Sequence, residues 1–518
     1  MDKIESKAGK ILLLFNGLGE RQILLLFIGI TFALRLYAVL MAQGIANDSA
    51  AYGFMARDFL KGDFEKGLSV SGHPLYPLFI SLFSFNPSWV EIVGRLISLF
   101  FGTFSLIPLY YLIKKEVGQR EATLSAFFYI FHPYLVTYSG MMLTEAMYWG
   151  WLILSVYYFW TGLHQERIWR MGLSSLFLGL SYLTRPEGIG YILVYLAWVI
   201  LYGIFKKSWI KTILIIGSLI SVTLIMSLPY ILYIHKETGQ WLLSQKALRM
   251  QSKLFPKEKG KEITLNPPSQ RTDQSPLKKK DSKITWIFKN VYRNLPSVIY
   301  HYLRAYHFSL WLFLFFGLIR IKKKIISYEL FLASMIIFHL MTLATFIPST
   351  IRLSVPMIPL SLLWAGRGVQ EMKKCFEKIK ILKTENIITI LVTLAILIQL
   401  PQSMKPERSH RASQREIGLW LKQNTPPESV IMSNTPQEVF YGEREFVLLP
   451  LGVSIHGEPG KSYEEILRLA KERGVKYILI NKDIYTRNPN FIESIKPTDL
   501  KEIFQKEDQG LRIYEVVY

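Results

Sequence analysis

Residues 93–148 read VGRLISLFFGTFSLIPLYYLIKKEVGQREATLSAFFYIFHPYLVTYSGMMLTEAMY, and this stretch decides the fold class. Two apolar runs, 92–113 and 122–140, flank a short turn that carries Lys114, Lys115 and Arg120. Each run has close to the ~20 residues needed for one membrane crossing. A basic turn between two such runs is the mark of a cytoplasmic loop. Working outward with the same criterion gives about eleven spans, near 22–42, 92–113, 122–140, 143–162, 171–185, 189–205, 210–231, 307–320, 328–347, 353–367 and 385–401. Weaker apolar stretches at 75–85 and 285–303 read as interfacial helices.

Composition agrees. Half of the 518 residues are hydrophobic, 14% are aromatic, and the mean hydropathy is +0.24, more apolar than an ordinary soluble domain. The net charge of +22 is read as topogenic lysine and arginine facing anionic lipid head groups, with no nucleic-acid partner. Cys375 is the only cysteine, which excludes an intramolecular disulfide and a cysteine-built zinc site. The Ile23–Met41 run is longer than the core of a cleavable signal peptide, and no convincing cleavage site follows it.

Charge then orients the spans. With Lys3, Lys7, Lys10 and Arg21 in the cytoplasm, the inner loops carry Lys114, Lys115 and Arg120; Arg167 and Arg170; Lys206, Lys207 and Lys211; Arg320 with Lys322 to Lys324; and Arg367 with Lys373, Lys374 and Lys378. The outer loops are 43–91, 139–143, 185–189, 232–306 and 347–352. The long 232–306 loop is basic as well, but long loops translocate regardless of charge. Its 251–284 part, rich in Lys, Pro, Ser and Gln, is expected to be a mobile loop. An odd number of spans places residues 402–518 outside. That tail changes character: SVIMS, EFVLLPL and VKYILI read as strands, and SYEEILRLAKERG as an amphipathic helix with a glycine stop. The expected architecture is an all-α polytopic membrane core over 1–401 followed by a small soluble α/β domain over 402–518.

Polar residues gather at the outer face. The first outer loop, which contains NDSAAYGFMARDFLKGDF at 47–64, supplies Asp48, Tyr52, Arg57, Asp58, His73 and Tyr76. Later outer turns supply His132, Tyr138 and Glu145, then Arg185 and Glu187, and Arg352 opens the tenth span. Carboxylates together with arginines suit a reaction on a lipid-linked phosphate. Guanidinium groups bind a phosphate leaving group bidentately, and a carboxylate takes the proton from an incoming hydroxyl. No Walker loop, zinc-protease motif or GxSxG occurs in a supporting context.

Each residue also has a plainer reading. Asp48 could cap the helix that follows, as could Asn47 or Ser49. Asp58 reads as an exposed helix charge. His73 precedes a proline turn, and Glu145 complements the N-terminal dipole of its span. Arg185 and Glu187 could pair with each other, and Arg352 could snorkel to the interface. Arg35 and Arg95, inside apolar runs, read first as structural.

The segments NDSAAYGFMARDFLKGDF…GHPLYPLFISLF, the 93–148 stretch, GLSYLTRPEGIGYIL and IRLSVPMIPLSLLWAG resemble, in order, bacterial members of glycosyltransferase family 39. These are GT-C enzymes related to protein O-mannosyltransferases and to the lipid A aminoarabinose transferase. The resemblance covers roughly 23–370; the tail is more weakly similar to the extracytoplasmic domain of some relatives. It implies sugar transfer from a polyprenyl-phosphate donor, on the outer face of a bacterial inner membrane, to a hydroxyl of a glycolipid, glycan or protein. Asp48 would be the general base and the reaction would invert the anomeric carbon. Arg185 and Arg352 would contact the phosphate, while Tyr52, His73, Tyr76, Glu145 and Glu187 would line the pocket. No cofactor is required by this reading; a divalent metal is compatible with the carboxylates and His73, but no ligand spacing is diagnostic. Many relatives carry Asp-Glu in the first loop, whereas this chain has Asp48-Ser49. The alternatives are an oligosaccharyltransferase or glycan ligase of the same superfamily, and a polyprenyl-linked glycan transporter.

Overall fold

The computed structural model describes residues 19–70, 72–245, 283–319, 326–346, 350–379, 384–406, 408, 411–450, 462–482, 484, 489–507 and 510–518. The 251–284 segment lies outside the described residues up to position 282.

Every apolar run named above is helical. In chain order the helices are Glu20–Met41, Val90–Phe104 with Leu106–Glu116, Gln119–Phe131 with Pro133–Gly140, Glu145–Gln165, Ile168–Thr184, Tyr191–Lys206, Trp209–Thr238, Trp311–Ile319, Ile326–Phe346, Ile358–Ile379 and Thr384–Ser403. Among the described residues, five helical segments are long and apolar enough by themselves to cross a membrane: Glu20–Met41, Pro87–Glu116, Pro186–Lys206, Trp209–Thr238 and Ser327–Phe346. The chain is thus a multi-pass membrane protein. The run read as a third span is two helices, because His132 is extended at φ −62°, ψ 120° before Pro133, the backbone that a following proline imposes. The stretch near 285–303 is the Lys283–Tyr306 helix, and the chain turns by 79° between Thr285–Tyr306 and Phe308–Ile319.

The chain forms two compact units: Met1–Ile28, Phe104–Leu135 and Tyr148–Leu400 make the first; Gly29–Thr103, Val136–Met147 and Pro401–Tyr518 make the second. The first is helical and packs aromatically. Trp160 lies 5.1 Å from both Tyr328 and Phe331, and Phe159 stacks on Tyr195 at 4.0 Å. The Trp311–Ile319 and Ile358–Ile379 helices cross closely, since a Cβ on Gly368 would collide with the Phe313 carbonyl, the small-residue device of membrane helix packing. Arg367, counted above among inner-loop charges, is instead buried. It pairs with Glu329 and donates to the Gly317 carbonyl, which is how a charge is kept inside apolar surroundings.

The second unit contains the segment after the Glu20–Met41 helix, which carries the Asn47–Leu60 helix, and the C-terminal α/β domain. Its sheet has the order β2-β1-β3-β5-β4, with β1 Val430–Ser433, β2 Glu445–Leu448, β3 Val475–Ile480, β4 Leu500–Lys506 and β5 Leu511–Val516. The first three strands are mutually parallel; β5 is antiparallel to β3 and β4. Alternation along the strands builds two faces. Met432, Ile478, Ile480, Tyr514 and Val516 pack with Ile466 and Ala470 of the Tyr463–Glu472 helix. Ile431, Tyr477, Leu479 and Ile513 pack with Ile417 and Leu421 of the Ala412–Asn424 helix, and Phe54 of the Asn47–Leu60 helix joins this second face. Ser462 and Glu465 form a reciprocal capping box at the start of the Tyr463–Glu472 helix. Beyond its end, Gly474 takes φ +62°, the left-handed conformation that a glycine supplies.

Candidate active site

The residues singled out in the sequence fall into two groups, one within each unit. In the second unit they converge on the Asn47–Leu60 helix. This helix begins after Ala46, whose backbone is extended and whose side chain supplies no cap. Ser49, at the third helical position, is buried and accepts from the Ala46 main-chain N–H at 3.2 Å. Ser49 therefore takes the backward-reaching role that Glu or Gln plays in a capping box. Asp48 is the second helical residue and half-exposed, so the N-cap reading does not account for it. A carboxylate in the first turn is favoured by the N-terminal dipole.

Tyr52 lies one turn after Asp48 and is buried; residues four apart share a helix face. Its ring meets that of Tyr76 edge-on at 5.7 Å. Tyr76 is fully buried; its hydroxyl donates to the Gly94 carbonyl at 2.8 Å and lies 2.9 Å from Ser98 Oγ. Ser98 in turn bonds the Leu143 carbonyl at 3.1 Å, which ties down the turn before Glu145. Glu145 is buried in the first turn of its helix. A side chain at Gly72 would press on Met55 and Tyr52, so the chain runs close to these residues just before the buried His73. The structure thus brings Tyr76 and the His73 segment against Tyr52 of the helix that carries Asp48. Asp58 is half-buried, not fully solvated, and burial raises its carboxyl above the usual range.

The two intramembrane arginines of this unit hold structure. Arg95 donates to the carbonyls of Val39, Ala42 and Gly44 at 3.2–3.3 Å and pairs with Glu91 at 2.5 Å. It thereby satisfies acceptors at the end of the Glu20–Met41 helix, where carbonyls lack intrahelical donors. Arg35, fully buried, donates to Ser139 Oγ at 3.2 Å.

In the first unit, Arg185 and Glu187 form a buried two-pronged pair, with Nε–Oε2 at 3.4 Å and Nη2–Oε1 at 3.2 Å. The guanidinium lies 5.6 Å from the Tyr148 ring centroid, within cation–π reach. Arg352 is half-buried in the short Ile351–Ser354 helix. That helix is anchored from behind: His339 Nε2 lies 2.9 Å from the Leu353 carbonyl, and Nδ1 lies 2.8 Å from the Tyr191 hydroxyl. A neutral imidazole donating from Nε2 and accepting at Nδ1 fits both partners. Sequence reasoning missed His339, although a lone histidine within the apolar IIFHLM segment was a usable signal.

Further contacts join the Asn47–Leu60 helix to the C-terminal domain. Arg57 donates to the Phe440 carbonyl at 2.8 Å with its guanidinium 4.1 Å from the Phe440 ring centroid; burial lowers its pKa to about 10. Two residues before Phe440, burial pushes the Glu438 carboxyl up to about 7, against the opposing pull of the Thr435 hydroxyl, the main chain and Arg411. Its folded pKa therefore exceeds the ordinary 4.5, and the stability it contributes is complete below that value and lost as the pH rises to about 7. Glu438→Gln is expected to abolish this slope and to be more stable than the parent above pH 7 by roughly 3 kcal/mol. Thermal unfolding in detergent between pH 4 and 9 checks it.

Among the described residues no group of three or more His, Cys, Asp or Glu could hold a metal ion.

Residues 72–233 match the family model described as dolichyl-phosphate-mannose-protein mannosyltransferase, and the fold is that of the GT-C glycosyltransferases. Among solved structures, ArnT from Cupriavidus metallidurans bound to undecaprenyl phosphate is 12% identical with a TM-score of 0.61, over 96% of this chain and 99% of that one. The apo form of the same protein gives 13% and 0.60, over 95% and 97%. The oligosaccharyltransferase of Archaeoglobus fulgidus in the apo form gives 10% and 0.57, over 96% of this chain and 74% of that one. No curated protein matches in sequence.

Proposed function

We propose that this protein is a membrane glycosyltransferase that moves a sugar from a polyprenyl-phosphate donor to an acceptor hydroxyl at the outer face of a bacterial inner membrane. Asp48 removes the proton from the hydroxyl, the hydroxyl oxygen attacks the anomeric carbon from the side opposite the phosphate, and polyprenyl phosphate leaves with inversion. The observation that carries this reading is Asp48 itself: a half-exposed carboxylate in the first turn of a helix whose capping is done by Ser49, beside Tyr52. The fold shared with ArnT from Cupriavidus metallidurans bound to undecaprenyl phosphate supports the donor class. Arg185 and Arg352 neutralise the leaving phosphate in this reading, with Glu187 orienting Arg185 until the donor arrives. The basic turns at 114–120 and 206–211 support a cytoplasmic N-terminus and an external C-terminal domain.

Deleting the gene and profiling cell-envelope lipids by mass spectrometry tests the function. A polyprenyl-phosphate monosaccharide should accumulate. An accumulating oligosaccharide would favour the oligosaccharyltransferase reading, and an unchanged lipid profile would remove both. A transporter reading predicts function without any transfer to an acceptor. Arg185→Lys tests the phosphate contact. A lysine keeps the charge but loses the two-pronged geometry, so the donor KM is expected to rise by about tenfold, on the order of the ~1.5 kcal/mol assigned to one charge-assisted hydrogen bond. An unchanged donor KM would remove Arg185 from the donor site.

A further inference from the structure

The helix that carries Asp48 has an N-terminus its own sequence leaves incomplete. Ala46 offers no side-chain acceptor, and Ser49 serves the Ala46 N–H only. The first helical N–H groups have no intrahelical partner and need one from elsewhere. The C-terminal domain provides it. With its amide oxygen turned toward the surrounding donors, Gln437 accepts from the Asn47 main-chain N–H at 3.2 Å and from Arg411 Nη1 at 2.6 Å. Arg411 Nη1 also donates to the Ile45 carbonyl at 3.0 Å. One guanidinium and one amide, distant in sequence, thus hold the main chain at Ile45 and at Asn47, the two positions on either side of Ala46.

The backbone is shaped for this grip. At Gly44 a Cβ would lie 2.8 Å from Arg411 Cβ, tighter than real contacts allow. Further along the same helix, a Cβ at Gly53 would overlap the Phe440 ring. Arg57 closes the far end by its bond to the Phe440 carbonyl. The helix is therefore held at its start, middle and end by residues 411–440.

We propose that Arg411 and Gln437 are positioning residues for the transfer reaction: they fix the first turn of the Asn47–Leu60 helix and so set the direction of the Asp48 carboxylate. The C-terminal domain is then part of the catalytic machinery. This rests on Asp48 being the general base, as proposed above. Neither residue needs to touch donor or acceptor. A base misplaced by about 1 Å loses rate on the order of 100-fold, while binding of the donor need not change.

The test uses the full-length protein in detergent or nanodiscs with a polyprenyl-phosphate sugar as donor. Arg411→Ala and Gln437→Met are each expected to lower kcat per folded enzyme by about 10–100-fold, with the donor KM within about twofold of the parent; the folded fraction is fixed by size-exclusion chromatography and circular dichroism, because unfolded protein also lowers the apparent kcat at an unchanged KM. Arg411→Lys, which can reach only some of these acceptors, should recover part of the lost kcat. Gln437→Met keeps the side-chain volume and decides the matter if Arg411→Ala also lowers the melting temperature. Parental kcat in Gln437→Met would overturn the proposal, as would a loss that lies wholly in KM. The two readings fail separately. If Asp48→Asn transfers sugar at the parental rate, the general-base assignment falls; if Asp48→Asn is inactive while Arg411→Ala and Gln437→Met are fully active, only the positioning role falls.

Discussion

Asp48→Asn is expected to slow sugar transfer by about 10²–10⁴-fold, the usual contribution of a positioned general base, and to leave the protein folded. Asparagine keeps the size and the helix-start position of the aspartate. The features that hold this turn are the Ser49 bond to Ala46 and the Gln437 and Arg411 bonds to Ile45 and Asn47, and none requires a charge at position 48. Loss of the first-turn charge costs at most ~1 kcal/mol of dipole interaction. Purified variant and parent should thus melt within a few degrees of each other while differing by orders of magnitude in turnover. Ser49→Ala provides the contrast: it should cost about 1 kcal/mol of stability through the lost cap.

Arg95→Ala is expected to have the largest effect on stability, about 3–5 kcal/mol, as when one partner of a buried charged pair is removed. The guanidinium serves Val39, Ala42 and Gly44 carbonyls at once, and Glu91 is its ion-pair partner. Its loss strips the end of the Glu20–Met41 helix of donors where that helix leads into the Asp48 segment. Glu91→Gln should cost less, because the carbonyls keep their donor and Tyr441 can still bond position 91. Thermal unfolding in detergent orders the three proteins: parent most stable, Glu91→Gln next, Arg95→Ala least. A parental melting temperature for Arg95→Ala would show that the carbonyls find other donors.

Much of the membrane core was legible because apolar length is a coarse signal. Each run named from hydropathy is helical, and the errors lie at breaks such as His132–Pro133 that shorten a helix without reducing its hydrophobicity. In the soluble domain, VKYILI and SVIMS were readable because they are nearly uninterrupted apolar strands. By contrast β4, LKEIFQK, carries charges on a half-exposed edge and gives little periodic signal. For the site, residue type and loop position pointed to Asp48, Tyr52, Tyr76 and Glu145. They could not show that Ser49, standing where many relatives have an acid, completes the helix start. Nor could they show that Arg185 is already paired with Glu187, because pairing depends on side-chain geometry and not on spacing alone. Arg411 and Gln437 were invisible for another reason: their partners lie far away in sequence, and nothing in their local segments marks them.

The most direct test of the account is the release of polyprenyl phosphate from a polyprenyl-phosphate sugar by the purified protein, measured by mass spectrometry beside the glycosylated acceptor. The parent protein should yield the two products in equal amounts, and Asp48→Asn should yield both at a rate lower by at least about 100-fold. Release at the parental rate by Asp48→Asn, with the same acceptor product, would contradict it.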